Sequence, residues 1–120
     1  TRTPMMYTGA NDGMLHAFNA NTGDEVFAYI PSMVYSTAVG KGLHALSEAA
    51  YSHKYYVDLS PALSQAYSDT GAGDNWHTVL VGGLRGGGRG LYALNVTDPD
   101  SVIEAGSATA KETAAKNHNK

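Results

Sequence analysis

The sequence predicts an all-β fold of antiparallel meanders, and three observations predict it. Short apolar and aromatic runs alternate with turn residues along most of the 120-residue chain. The 14 glycines fall mostly between those runs, which favours many turns over helices. One strand–turn–strand pattern occurs early in the chain and again late in it. Together these observations favour β-structure made of repeated hairpins.

The first meander contains three predicted strands joined by two turns. Its turns hold asparagine, aspartate, threonine and glycine, which tolerate positive φ or bond their own backbone at a hairpin tip. Pro31 ends the third strand because proline cannot donate a ladder hydrogen bond. The predicted strands are residues 5–10, 14–20 and 26–30, and the turn residues are Asn11, Asp12, Gly13, Thr22 and Gly23.

The middle of the chain has a different composition. Alanine, leucine and glutamate between residues 43 and 50 favour a short helix or an ordered loop. A fourth strand is predicted at residues 54–58, before Ser60 and Pro61, and a fifth at residues 62–68. The polar, glycine-containing stretch that follows has the composition of a loop.

The second meander looks like a copy of the first. It has predicted strands at residues 76–82 and 91–96, and its Leu91–Asn95 segment aligns with Leu15–Asn19, which lies 76 residues earlier. Internal repetition of a meander is the sequence signature of a β-propeller. The turn between the two strands is rich in glycine, and we expect its geometry to depend on Gly87, Gly88 and Gly90.

Both faces of the last predicted strand are apolar. Leu91 and Ala93 share one face, and Tyr92, Leu94 and Val96 share the other. A sheet stacked between two neighbours buries both faces, whereas a surface sheet alternates apolar with polar residues. We therefore expect a partial β-propeller of about two blades over residues 1–100, with blade pieces at residues 5–31 and 54–99.

Residues 101–120 form a second region by composition. After Ile103 they contain almost no large apolar side chain. A short helix without an apolar stripe is marginal alone. We expect a variable insertion or a flexible tail there.

Charge and cysteine content exclude several classes of function. The net charge is −3, and the body of the chain has no basic cluster of the kind that binds nucleic acid. Without cysteine, the chain has no thiol nucleophile, cysteine-liganded zinc or disulfide. No apolar run approaches the length of a membrane span.

Two glycine-containing patterns suggest chemistry, and each has a simpler structural interpretation. Gly88, Gly90 and Ala93 superficially fit a dinucleotide fingerprint, but that mechanism needs a helix where the sequence predicts a strand. Arg85 and Arg89 flank three glycines and could form an anion-binding nest. A solvated turn tip explains the arginines as well, and we favour it.

The histidines and carboxylates do not form a recognisable catalytic or metal motif. No pair among the histidines has metal-ligand spacing. We interpret His16 as a packed, hydrogen-bonded side chain within a strand and Asp12 as a turn residue rather than an acid. No Gly-x-Ser-x-Gly elbow occurs. Asp58 and Asp98 lie at predicted strand ends, and the five histidines are His16, His44, His53, His77 and His118.

Residues 7–25 resemble the blade of quinoprotein-type propellers, which has a strand, a Gly-x-x-Asp-Gly turn, a second strand and a Thr-Gly turn. In this sequence the first turn runs from Gly9 to Gly13, and Thr22 and Gly23 form the second. A fuller pattern over residues 27–32, 50–58, 76–84 and 87–97 resembles the PilY family of type IV pilus biogenesis proteins. The resemblance covers about residues 5–99.

The resemblance implies a structural and interaction module rather than an enzyme. It implies an exported protein at the pilus tip, cell surface or outer membrane, supporting pilus assembly, adhesion and twitching motility. The implied partners are minor pilins and other pilus components, the rest of its own propeller, or a host or abiotic surface.

Some PilY-like propellers use an aspartate-rich calcium loop, and this sequence has no such run. Its candidate aspartates are scattered along the chain, so we expect no metal and no cofactor here, although calcium is an option elsewhere in the full-length family. The scattered aspartates are Asp69, Asp74, Asp98 and Asp100.

Two alternatives remain open from the sequence. A fragment of a quinoprotein dehydrogenase would share the Asp-Gly and Thr-Gly turns, but the chain lacks adjacent cysteines and a carboxylate–calcium constellation. An outer-membrane assembly scaffold with a similar propeller is the other. The start Thr1-Arg2-Thr3-Pro4 suggests an interior cut, and two meanders cannot close a propeller of about four or more blades. We therefore expect the chain to be embedded in a longer parent or to self-associate.

Overall fold

A computed structural model describes residues 2–36, 40–67, 76–99 and 103–104. The described residues form two antiparallel sheets, of three and four strands, and the predicted all-β fold is confirmed. The strands are β1 (Met5–Gly9), β2 (Leu15–Asn19), β3 (Glu25–Tyr29), β4 (Ala62–Tyr67), β5 (Trp76–Gly83), β6 (Leu91–Asn95) and β7 (Ile103–Glu104).

The first sheet is the meander β1-β2-β3. Its register places Tyr7 opposite Ala17 and Ala17 opposite Phe27, so these three side chains share one face. The register of β2 with β3 shifts between Ala17 and Phe18, which is a β-bulge. The bulge brings Phe18 opposite Glu25, at the start of β3.

The second sheet has the order β4-β5-β6-β7, and each pair is antiparallel. Leu80 lies opposite Leu63 on one side and Leu94 on the other. Of the stretch 101–120, the structure describes only the backbone of β7, in which Glu104 pairs with Leu94. The rest of the expected insertion or tail lies outside the described residues.

The connection between the sheets contains short 3₁₀ helices rather than further strands. The helix or ordered loop expected near residues 43–50 is the 3₁₀ helix Gly42–Ser47. The fourth strand predicted at residues 54–58 is wrong, because this segment pairs with no strand edge over its length. It runs instead between the turns of the two sheets: the Val57 amide donates to the Ala10 carbonyl at 3.3 Å, and the Asp58 amide to the Leu84 carbonyl at 3.4 Å.

The core lies between the two sheets. One buried cluster unites Leu15 and Phe27 of the first sheet with Leu80 and Leu94 of the second. Within this cluster the rings of Tyr29 and Tyr92 lie 5.5 Å apart, centroid to centroid. Burial of apolar area on these two inner faces is the main force that holds the sheets together.

Candidate functional site

The outward faces of the two sheets are the candidate functional surface. On the second sheet, the face away from the core carries Val81 and Leu91, with exposures of 42% and 71%. Val79 and Ala93 share that face and are half-buried. An apolar, exposed sheet face of this kind marks a surface that normally contacts another protein element.

The internal repeat allows this face to be compared with the equivalent face of the first sheet. Leu91 occupies the position of Leu15 in the repeat, yet Leu15 is fully buried under the second sheet while Leu91 is exposed. Ala17 and Ala93 differ in the same way, because Ala17 is buried and Ala93 is only half-buried. The same strand face is thus covered in the first sheet and open in the second.

The other face of each sheet shows the reverse difference: it is exposed in the first sheet and buried in the second. His16 is the repeat equivalent of Tyr92, which is buried in the core between the sheets. His16 lies on the outward face of the first sheet, beside Phe18, with which its ring stacks at a centroid distance of 6.1 Å. Exposed Met6 lies opposite Phe18 and so shares that face. Each sheet therefore presents one face to its partner in the core and the other outward.

A charged cluster stands on the outward face of the first sheet. His16 Nδ1 lies 2.6 Å from Glu25 Oε2, and His16 Nε2 lies 2.5 Å from Asp12 Oδ2. Burial lowers the pKa of His16, but hydrogen bonds to the Glu25 and Asp12 carboxylates and the charges of both outweigh it, so the pKa is raised above its usual value. The cluster ties the hairpin tip to β3.

His16 is therefore hydrogen-bonded within a strand, as we interpreted it, but its ring also joins two carboxylates. Asp12 keeps its turn role as well, because its Oδ1 accepts a hydrogen bond from the Met14 amide at 3.0 Å. Sequence reasoning missed the contact with Glu25. The available signal was the meander itself, which brings β3 beside β2, but the bulge that sets the register is not visible in the sequence.

The residues of the first two predicted turns lie where the chain reverses. Gly13 and Gly23 have φ of 89° and 81°, a region that glycine occupies without strain. The Asn11 side-chain carbonyl accepts a hydrogen bond from the Tyr56 amide at 3.3 Å, which links the hairpin tip to the inter-sheet connection. The Thr22 hydroxyl accepts one from the Asp24 amide at 3.3 Å.

The glycines of the third predicted turn lie against other parts of the chain. A Cβ on Gly87 would collide with the backbone carbonyl of Tyr56, and one on Gly90 would collide with the Met33 sulfur. Gly88 has φ of 143° and ends the short 3₁₀ helix Arg85–Gly87. This turn is therefore packed against the connection between the sheets.

The alternative sites considered from sequence are placed as follows. Leu91–Asn95 is a strand, so the helix that a dinucleotide fingerprint needs is absent at this place. Arg85 and Arg89 are exposed at the turn, with Arg85 at φ 46°. Asp58 lies in the inter-sheet connection beside Gly86. Asp98 follows β6 beside a cleft of about 520 Å³ that Arg2 also lines.

The remaining histidines lie apart from one another. His44 is 3.4 Å from Glu48, His53 packs edge-on against Tyr55, and His77 Nδ1 lies 3.3 Å from Asn95 Nδ2. Among the described residues no group of three or more histidine, aspartate or glutamate side chains is arranged to hold a metal ion. His118, Asp69, Asp74 and Asp100 lie outside the described residues.

The part of the chain that the structure describes contains no helix long and apolar enough to cross a bilayer.

Comparison with known proteins matches this chain to one family and to its named relatives. The family described as "PilY1 beta-propeller domain" matches residues 1–118. The type IV pilus biogenesis factor PilY1 of Pseudomonas aeruginosa strain PAO1 is 44% identical over 99% of this chain and 11% of its own length. A Xylella fastidiosa homologue of that factor is 48% identical over 84% of this chain and 8% of its own length.

A solved structure shows the same similarity in three dimensions. The crystal structure of the Pseudomonas aeruginosa PilY1 C-terminal domain matches with a TM-score of 0.60 and 44% identity, over 87% of this chain and 18% of that one. The chain thus spans about a tenth of the length of the curated Pseudomonas aeruginosa PilY1. With a family match over nearly its whole length, two stacked antiparallel sheets and an internal blade repeat, the chain belongs to the PilY1 β-propeller domain family.

Proposed function

We propose that this chain is a two-blade wedge of a PilY1-family propeller that acts as a structural and interaction module in type IV pilus biogenesis. The observation that carries the proposal is the contrast between Leu15, fully buried, and its repeat equivalent Leu91, 71% exposed. Because Leu15 is covered by the following blade, Leu91 is positioned to be covered by the next one in the parent protein.

The proposed location and pilus functions are inferred from the names of the relatives rather than from a site in this chain. They are named as type IV pilus biogenesis factors, so we propose an exported protein at the pilus tip or bacterial surface that supports pilus assembly, adhesion and twitching motility. Its proposed partners are minor pilins and other pilus components, which would meet the loops, and neighbouring blades, which would meet the sheet faces. The outward loops, including exposed Arg85 and Arg89, are the parts left free for such contacts.

We propose no enzymatic role and no cofactor for this chain. The histidine–carboxylate cluster uses both ring nitrogens of His16 within the protein, so neither nitrogen is free to accept a proton from a substrate. A quinoprotein dehydrogenase activity finds no support among the relatives reported above, which are named for pilus biogenesis. Calcium binding, where the family uses it, would belong to another part of the parent protein.

The experiment compares two substitutions of one residue in a full-length PilY1-family protein that contains this segment. Leu91→Asp places a charge on the face that the next blade would bury, while Leu91→Met keeps the face apolar and nearly the same volume. We expect Leu91→Asp to abolish or strongly reduce surface pili and twitching zones, and Leu91→Met to leave both near wild type. Equal piliation of the Leu91→Asp and Leu91→Met strains would contradict the proposal.

A further inference from the structure

The turn between β5 and β6 carries two arginines that are not needed to build it. Its backbone is closed by hydrogen bonds of its own, since the Leu84 amide donates to the Gly90 carbonyl at 3.2 Å. The Gly87 amide donates in turn to the Leu84 carbonyl at 2.8 Å. Glycines and backbone bonds therefore shape this turn, and the side chains of Arg85 and Arg89 take no part in closing it.

Neither guanidinium group pairs with a carboxylate within the described ranges of the chain. Arg2 provides a contrast, because its guanidinium group donates to the Thr78 hydroxyl at 2.7 Å and to the Val96 carbonyl at 3.2 Å. Arg2 thus bonds to the second sheet from the start of the first. Arg85 and Arg89 are exposed and make no such bond to the residues that the structure describes.

The equivalent turn of the first sheet uses its polar side chains differently. The Asn11 side-chain carbonyl accepts a hydrogen bond from the Tyr56 amide at 3.3 Å. Asp12 accepts one from the Met14 amide at 3.0 Å and also contacts the His16 ring. The polar side chains of the first turn are therefore bonded within the protein, whereas the two arginines of the second turn point their charge outward.

The backbone of Arg85 adds an independent observation. Arg85 has φ of 46°, and it is the one non-glycine residue of the described part of the chain with a positive φ. Glycine adopts that region without strain, whereas a long side chain is disfavoured there. Strained backbone of this kind is concentrated at functional sites. An arginine at a position that suits glycine indicates a role for its guanidinium group.

Two exposed apolar side chains pack on the same turn. A Cβ on Gly86 would lie 3.1 Å from Tyr55 Cγ, and a Cβ on Gly90 would collide with Met33 Sδ. Tyr55 and Met33 are nevertheless 53% and 40% exposed. Tyrosine, methionine and arginine are the residue types enriched in protein–protein interfaces. We call Met33, Tyr55, Arg85 and Arg89 the turn surface.

We infer that the turn surface is a docking site for an acidic segment of a separate polypeptide. Its carboxylates pair with Arg85 and Arg89, and a neighbouring apolar side chain packs on Tyr55 and Met33. Charge complementarity favours this occupant, because a planar guanidinium group binds a carboxylate through two parallel hydrogen bonds. The net charge of −3 disfavours a polyanion such as nucleic acid.

The inference rests on the proposed function, in which neighbouring blades cover the sheet faces. The turn joins the end of β5 to the start of β6, so it lies at an end of the blade, where loops remain open to partners. This chain's own undescribed acidic residues adjoin the start of β5 or follow β6, or belong to a segment with more lysine than acid. Those residues are Asp69, Asp74, Asp100 and Glu112.

A photo-cross-linking residue in place of Tyr55, in the full-length parent protein of piliated cells, identifies the occupant. We expect an adduct with a separate polypeptide, which mass spectrometry maps to a segment carrying neighbouring aspartate or glutamate residues. The double variant Arg85→Gln/Arg89→Gln should lower the adduct yield by about fivefold or more, because it removes two exposed ion pairs. Lys41→Gln, at an exposed lysine outside the turn surface, is the charge control and should leave the yield unchanged.

Several results would overturn the inference. They are an adduct with the parent polypeptide itself, with a nucleic acid or with a lipid, and an adduct at a segment that lacks acidic residues. The absence of any adduct would do the same, as would an equal yield from wild type and the double variant.

Arg85→Gly separates docking from folding. Glycine relieves the strain at φ 46° but adds freedom to the unfolded chain, so this variant should unfold at about the wild-type denaturant concentration. Its adduct yield should still fall, because one of the two guanidinium groups is gone. An unchanged yield would overturn the inference. A clear loss of stability would overturn it as well, since Arg85 would then support the fold.

These readouts are distinct from the test of the proposed function. Equal piliation of the Leu91→Asp and Leu91→Met strains would refute the proposed function even where a Tyr55 adduct is found. A missing adduct at Tyr55 would refute the docking site and leave the result at Leu91 unaffected.

Discussion

Leu15 and Leu91 occupy the same position in two copies of one blade motif, and the first is completely buried while the second is mostly exposed. Leu15 faces the second sheet across the core, and Leu91 faces away from both sheets. Stacked copies of one blade explain this difference. Each copy has the same two faces and points them in the same direction, so the face that is covered in the first sheet is left open in the second. The interface is head-to-tail, so it continues until the ring closes.

This relation predicts that the separate 120-residue chain associates through its open faces. The face with Leu91 is equivalent to the one that packs in the core, so a second copy is expected to cover it with its first sheet. Size exclusion coupled to light scattering should show oligomers or aggregates whose size increases with concentration. Leu91→Asp should reduce the association, whereas Leu63→Asp, at an exposed leucine on the other face of the sheet, should reduce it less.

A stable monomer of the unmodified chain would contradict that prediction. It would mean that the outward faces are soluble as they stand, and the head-to-tail interpretation of the repeat would have to be abandoned.

The His16 cluster predicts a pH-dependent contribution to stability. The folded pKa of His16 is raised, so its stabilisation is fully present below its unfolded value of about 6.5 and is lost as the pH rises through the higher folded value. His16→Gln removes charge-assisted hydrogen bonds from a partly exposed cluster. We therefore expect it to lower the free energy of unfolding by on the order of 1 kcal/mol at a pH where His16 is charged. Thermal unfolding of the parent propeller should show this deficit near pH 6 and a smaller one above pH 8.

The matched control for this measurement is His77→Gln, at a histidine whose ring contacts an asparagine rather than carboxylates. It tests whether the loss of a histidine ring from a strand is enough by itself to produce the deficit. If the His16→Gln deficit were constant from pH 6 to pH 9, the charged form of His16 would not be the stabilising species.

The packing of Gly87 predicts a difference between adjacent glycines. Gly87→Ala would force a methyl group into the backbone carbonyl of Tyr56, which cannot rotate away. At Gly86 the added carbon would meet the exposed Tyr55 ring at 3.1 Å, and that side chain can shift. Denaturant unfolding should show Gly87→Ala less stable than Gly86→Ala by about 1–3 kcal/mol. Equal stabilities would mean that the turn moves away from Tyr56 at little cost.

Much of the fold follows from local patterns in the sequence, and the exceptions share a cause. The repeat of Leu15–Asn19 in Leu91–Asn95 predicted two blades because each copy carries its own turns and its own apolar faces. Residues 54–58 have strand composition, but their backbone bonds to two turns, a long-range arrangement that composition does not encode. The contact of His16 with Glu25 likewise depends on a bulge between Ala17 and Phe18.

The last prediction concerns Tyr92, whose hydroxyl is buried against Gly82 and has no hydrogen-bond partner among the described residues. Burial raises the pKa of Tyr92 to about 12, against about 10 in the unfolded chain. The folded state therefore holds this proton more tightly, and stability falls as the pH rises from about 10 towards 12, where only the unfolded chain ionises.

Tyr92→Phe removes this proton linkage and also an unsatisfied buried hydroxyl, whose loss is nearly neutral or stabilising. In the parent propeller we expect Tyr92→Phe to be at least as stable as wild type at pH 7 and to unfold at a higher alkaline pH. Tyr67→Phe, at an exposed tyrosine, is the matched control for loss of a tyrosine hydroxyl from a strand. A marked loss of stability at pH 7 in Tyr92→Phe would show instead that a group elsewhere in the parent protein bonds the Tyr92 hydroxyl, and would place that group within the core between the two blades.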